Sequence, residues 1–209
     1  MTQWVENPTG GRERGPVALV RAGVEVLVRP RRFFRTGIAP GDQAPGLVFA
    51  AVVVFVEELT RLAFVSGAYP VLGGQPLASN ALGLVLAVVL VMPAALHLTT
   101  ALQTLILIPF VDDRAGVSET VQVIAYASAP CVFAGPPIPE LRTVCAVYGA
   151  CLLVLGMAEV HGLDLLAAIP LTAIPAALVF GYGFRGILAA EVLLSPPWLL
   201  PTVVTLLSG

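Results

Sequence analysis

Apolar positions in this chain first recur at helical spacing between Pro16 and Val28, where Val17, Val20, Val24 and Leu27 mark one face and Arg21 and Glu25 another. This pattern predicts an amphipathic helix able to lie on a membrane surface. Five long apolar runs follow, at about 44–64, 80–109, 119–135, 143–160 and 165–188. A helix crosses the roughly 30 Å hydrocarbon core of a bilayer with about 20 apolar residues. The expected fold is therefore all-α: a polytopic transmembrane helical bundle of about five spans, preceded by the amphipathic interfacial helix. The second run, about 45 Å long as a helix, needs tilt or a kink at Pro93 to fit. Pro170 and Pro175 predict a bend in the fifth. Small residues four apart, Ala125 with Ala129, Cys145 with Gly149 and Ala146 with Ala150, predict close helix approach in the third and fourth.

The two ends read differently. Residues 1–15 carry Asn7, Pro8, Gly10, Gly11 and four charges, the composition of a disordered tail. They lack the basic, apolar and small-residue order of a cleaved leader, so targeting is expected to fall to the first membrane helix. Residues 193–207 are apolar but interrupted by Pro196, Pro197 and Pro201, and are expected to be interfacial or partly inserted. The resulting organisation is a cytoplasmic tail with the start of the amphipathic helix (1–26), a membrane domain (27–190) and an apolar tail (191–209).

Composition supports lipid as the main solvent. The chain is 57% hydrophobic and 11% charged, against roughly 45–50% and 25% in soluble domains. A net charge of −2 gives no reason to expect a nucleic-acid partner. Cys131, Cys145 and Cys151 lie in apolar segments without metal or redox spacing, and read as small packing residues. All eleven basic residues are arginine, and seven precede the first span. Arg114 follows the second span, leaving Arg61, Arg142 and Arg185 for the other side. The positive-inside rule then places the N-terminus in the cytoplasm and, after five spans, the C-terminus outside a cell membrane. In VRPRRFF, Arg31 and Arg32 can reach lipid phosphate while Phe33 and Phe34 enter the interface, so this stretch is expected to anchor the chain at the inner leaflet.

Ionisable groups within a span cost about 2.5–3.5 kcal/mol each on insertion scales and are candidate functional groups. Glu57, Glu58 and Arg61, in the sequence EELTR, form the first set; Arg61 stands at helical pairing distance from both carboxylates. In the second span His97, Thr100 and Thr104 share a face, with His97 at a depth similar to Glu57. A Glu57–His97 contact is one arrangement, and a histidine satisfied by a backbone or hydroxyl neighbour is the commoner one. On the cytoplasmic side Asp112, Asp113, Arg114, Glu159, His161 and Asp164 could hold a divalent cation if their loops meet, although solvated loop charges are the commoner explanation. No zinc-protease, nucleophile-elbow or phosphate-loop motif is present, and no cofactor is expected.

RPRRFF, the turn GVSETVQVIAYASAP (116–130), the helix end GMAEVHGLD (156–164) and the five-helix hydropathy profile together resemble the Yip1 domain family, in particular its prokaryotic, archaeal branch, over about Leu27 to Gly186. The resemblance implies an integral membrane protein with five helices, a cytoplasmic N-terminus and no enzymatic activity. Eukaryotic members associate with Rab-type GTPases, but their cytoplasmic Asp-Leu-Tyr-Gly-Pro motif is absent here, so that role is not carried over. The expected function is non-enzymatic, through helix packing and protein association, with the bilayer and other membrane proteins as partners and self-association left open. The alternative is a small transporter or channel using the polar face of the second span. An intramembrane glutamic protease is a weaker reading. That pattern has three residues between Glu-Glu and Arg, where this chain has Leu59 and Thr60, and Phe four before its histidine, where this chain has Pro93 and Met157.

Overall fold

Proline and glycine set the limits of the helices. The computed structural model describes residues 15–195, so the expectations for 1–14, with Arg12 and Arg14, and for 196–209 lie outside the described residues. The order is α1 (Pro16–Val28), α2 (Pro30–Thr36), α3 (Ala44–Phe64), α4 (Pro76–Leu86), a π turn (Ala87–Val91), α5 (Met92–Leu107), α6 (Val117–Ala127), a 3₁₀ turn (Ala129–Phe133), α7 (Pro139–His161), α8 (Leu165–Ala176), a second π turn (Ala177–Gly183) and α9 (Gly186–Leu194). α1, α2, α3, α4 and α7 each carry proline in the first turn, where the missing N–H has no intrahelical partner to lose. Gly162, left-handed at φ 66°, ends α7, and the Asp164 carboxylate caps α8 by accepting from Leu166 N at 3.0 Å.

Among the described residues three helices are long and apolar enough to cross a membrane: Pro76–Leu107, running through the first π turn, Pro139–His161, and Leu165–Gly183. α3 has 21 residues but carries Glu57, Glu58 and Arg61 in its second half. The run expected over 119–135 is helical in two parts. Its α-helical part is the 11-residue α6, about 16 Å long, and Pro130 falls in the 3₁₀ turn that follows. Proline also accounts for the irregularities of the long helices. Pro93 cannot donate to the preceding turn, and the π turn directly ahead of it takes up the mismatch; the second π turn follows Pro175.

α6 is the centre of the bundle. Every residue from Thr120 to Ala127 is buried, under α3, α5 and α7. Tyr126 packs against Phe33 and Phe49 with ring centroids 4.8 and 4.9 Å apart. Gln122, fully buried, uses its amide as a clasp on the α2–α3 loop, accepting from Ala39 N at 2.9 Å and donating to Ala39 O at 2.7 Å. Gly46 permits this approach: a Cβ there would lie 2.9 Å from Gln122 Cα. The small residues of α7 likewise admit neighbours, Gly149 facing the Phe180 ring and Ala146 facing Gly186.

One expectation for the N-terminal region changes, the placement of Phe33 and Phe34. α1 forms over the expected residues, and buries Ala18, Ala22 and Val26 against the bundle while Val17, Val20, Val24 and Val28 stay exposed. The small residues fit the close contact with α2 and α6, and the valines are left outside. Phe33 and Phe34 are each 1% exposed and do not reach an interface. α2 turns them inward, Phe33 onto Tyr126 and Phe34 towards Val123 and Gly156 of the α6–α7 junction. Arg31 and Arg32 remain exposed, facing Glu159 at 3.7 Å and Glu25 at 3.4 Å.

Candidate functional site

The second half of α3 brings Glu57 and Glu58 to the inner wall of the bundle, 2% and 6% exposed. Buried carboxylates need partners. Arg61, one turn along α3, binds Glu58 and not Glu57: its Nη2 is 2.7 Å and its Nε 2.8 Å from Glu58 Oε2. It also donates to Ala68 O at 3.0 Å and stacks 4.8 Å above the Tyr69 ring. The Tyr69 hydroxyl donates to Glu58 Oε2 at 2.8 Å. Burial first, then this hydrogen bond, pushes the Tyr69 phenol up to about 12, so it stays a neutral donor at ordinary pH.

The partner that joins both carboxylates is Arg185, Nη1 at 3.0 Å from Glu57 Oε1 and Nη2 at 2.6 Å from Glu58 Oε1. It lies between the second π turn and α9 at φ 59°, the one non-glycine residue with positive φ among the described residues. Such a conformation costs about 1–3 kcal/mol and persists where surrounding structure fixes it; here two ion pairs do so. Arg142 closes the same end, donating to Ala134 O at 3.0 Å and Gly135 O at 3.4 Å. The sequence reading missed Arg185, Arg142 and Tyr69 as members. The only local signal is an arginine in the glycine-rich break GYGFRG.

Beside this cluster is a cavity of about 240 Å³, bounded by α3, the first π turn with α5, α6, and the second π turn. Glu57, Glu58, Arg185, Thr99 and Ser128 supply its polar wall, and the rest is apolar. π turns are frequent at functional sites, and here one stands on each side.

The remaining candidates are not gathered here. His97 is exposed and its Nδ1 lies 2.7 Å from Pro93 O of its own helix, so it does not meet Glu57. The second-span residue with a hydroxyl on the cavity is Thr99, two positions on. Thr100 is buried, and Thr104 donates to Thr100 O at 2.8 Å. The set expected on the cytoplasmic side is dispersed. Glu159 pairs with Arg35 at 2.5 Å, His161 Nε2 lies 3.2 Å from Thr120 Oγ1, Asp164 caps α8, and Asp112 and Asp113 are exposed. Among the described residues no three histidine, cysteine or carboxylate side chains converge as metal ligands.

An all-α bundle with three membrane-length helices and an ionic cluster buried among them defines an integral membrane protein. Residues 24–186 match the Yip1 domain, and the chain belongs to that family. No curated protein and no solved structure matches it.

Proposed function

We propose that the protein acts without catalysis, by helix packing and association with other membrane proteins in the bilayer, and that it crosses a cell membrane five times with its N-terminus in the cytoplasm. The observation carrying the association reading is the helix Pro76–Leu107. It is 32 residues long, yet only 11% of its most apolar stretch is covered by the rest of the chain, and Leu77, Leu82, Val85, Val89 and Leu105 stand exposed along it. At about 48 Å it is longer than a hydrocarbon core, which favours a neighbour over lipid alone along part of its length. The charged groups favour a structural role, since Glu57 and Glu58 are held by guanidinium groups and His97 by its own helix. Arg29, Arg31, Arg32 and Arg35, grouped on α2 and just before it, support the cytoplasmic placement.

Photo-crosslinking residues at Leu82 and Leu105, activated in native membranes, test the association. Discrete protein adducts at these sites and none at the buried Val53 are expected. Lipid adducts alone would reject it. Reporter fusions to the two termini test the crossing number, with opposite compartments expected. The cavity favours a second reading, transport of a small solute, for which flux in liposomes holding only this protein is the test.

A further inference from the structure

We propose that the cavity between the two π turns is a binding site for a small amphiphile carrying a protonated primary amine. The inference does not depend on the association reading, and failure of the crosslinks would leave it untouched. Its polar wall holds Glu57, Glu58 and Arg185. Arg61, reaching Glu58 as well as Ala68 O and the Tyr69 ring, balances the Glu58 charge and leaves Glu57 with Arg185 alone. Both Glu58 oxygens are occupied, Oε1 by Arg185 and Oε2 by Arg61 and Tyr69. Glu57 gives only Oε1 to Arg185, and its Oε2 has no hydrogen bond among the described residues. The Thr99 hydroxyl is likewise without one, and Ser128 Oγ, donating to Ala125 O, keeps acceptor capacity. The free positions are thus one carboxylate oxygen, the Thr99 hydroxyl and the acceptor side of Ser128: a three-donor ammonium satisfies all of them, whereas a carboxylate or phosphate finds only the Thr99 O–H as donor and faces the Glu57 carboxylate.

The rest of the cavity fixes the other end of the ligand. Ala50, Val54, Leu96, Ile124 and Phe184 make an apolar lining. At about 240 Å³ the space is below the roughly 300–1,000 Å³ of sites for drug-sized ligands, so the apolar group is short. Val91 and Leu178, one near each π turn, line the cavity and are 59% and 41% exposed. The cavity therefore opens sideways onto the apolar surface of the bundle, an entry suited to a molecule already dissolved in the bilayer.

The test uses full-length protein in phosphatidylcholine nanodiscs at neutral pH, titrated calorimetrically with hexylammonium, hexanoate and hexanol against empty nanodiscs. Saturable binding of hexylammonium at least tenfold tighter than of the other two is expected, and Glu57→Gln should weaken it at least tenfold. Leu96→Phe, which adds bulk at a buried lining position of α5 without touching an ion pair, should do the same and covers the case in which Glu57→Gln misfolds. Nanodiscs containing phosphatidylethanolamine separate two sources of the same chemistry: weaker apparent hexylammonium binding identifies a lipid headgroup as the occupant, and unchanged binding a free amine. Equal or tighter hexanoate binding, no change in either variant, or heat no greater than that of empty nanodiscs would overturn the proposal.

Discussion

Arg185 and Glu58 stand 127 positions apart in the chain, and their side chains meet at 2.6 Å. The contact ties the break before α9 to the second half of α3. Removing the arginine leaves Glu57 without its cation and Glu58 with Arg61 alone. Breaking a buried pair from one side costs about 3–5 kcal/mol, so Arg185→Gln should show a loss of that order in denaturant unfolding in detergent. Glu57→Gln/Arg185→Gln leaves the Glu58–Arg61 pair whole and should be clearly more stable than Arg185→Gln. A double variant as unstable as the single one would mean that the cluster is not held by charge balance.

Phe33 and Arg31 are near neighbours in sequence with opposite surroundings. Phe33→Ala empties a buried site against Tyr126 and should cost about 3–5 kcal/mol. Arg31→Ser loses only an exposed pair and should change stability by less than about 1 kcal/mol. Comparable thermal stability of the two variants in detergent would contradict the inward placement of α2.

Gln122→Leu removes both hydrogen bonds to Ala39 and leaves that backbone unit without its partner, a cost of about 1–3 kcal/mol. Amide hydrogen exchange reports it directly. Exchange at Ala39 should accelerate in the variant while the amides of α7 stay protected. Unchanged protection of Ala39 would show that the clasp does not hold the loop.

Two glycines should respond to alanine with opposite signs. At Gly46 a Cβ meets the Gln122 backbone at 2.9 Å, which cannot swing aside, and overpacking of this kind costs about 1–3 kcal/mol. At Gly23 the nearest atom is a Phe49 ring carbon at an ordinary 3.6 Å, so Gly23→Ala should gain about 0.5–1 kcal/mol from helix propensity. Melting temperatures of the two variants check the pair.

The long apolar runs of α3, α4–α5, α7 and α8 were legible because lipid-length helices need little beyond sustained hydrophobicity and end signals. The length of α6 was not, since a short helix buried over Thr120–Ala127 and a longer span leave the same apolar trace. EELTR was legible as a cluster, but the choice of Glu58 by Arg61 depends on Tyr69 and Arg185, which arrive from other parts of the chain. His97 and Thr99 differ by two positions, about 200° of rotation around the helix, and only packing decides which of them faces inward. Phenylalanine beside arginine suits an interface and a core cap equally well. Phe34 goes inward because Gly156 leaves it room.

The burial of Thr120–Ala127 on every side of α6 also bears on biosynthesis. Eleven helical residues are too few to be handed singly to lipid, where a crossing needs about 20, and their surface is completed by α7, which the ribosome makes later. On the five-crossing proposal, residues 117–133 wait beside the insertion machinery until 139–161 have emerged. Insertion of this stretch is then a joint step of several helices, and a pause or truncation between the two would leave a chain that the membrane cannot accept.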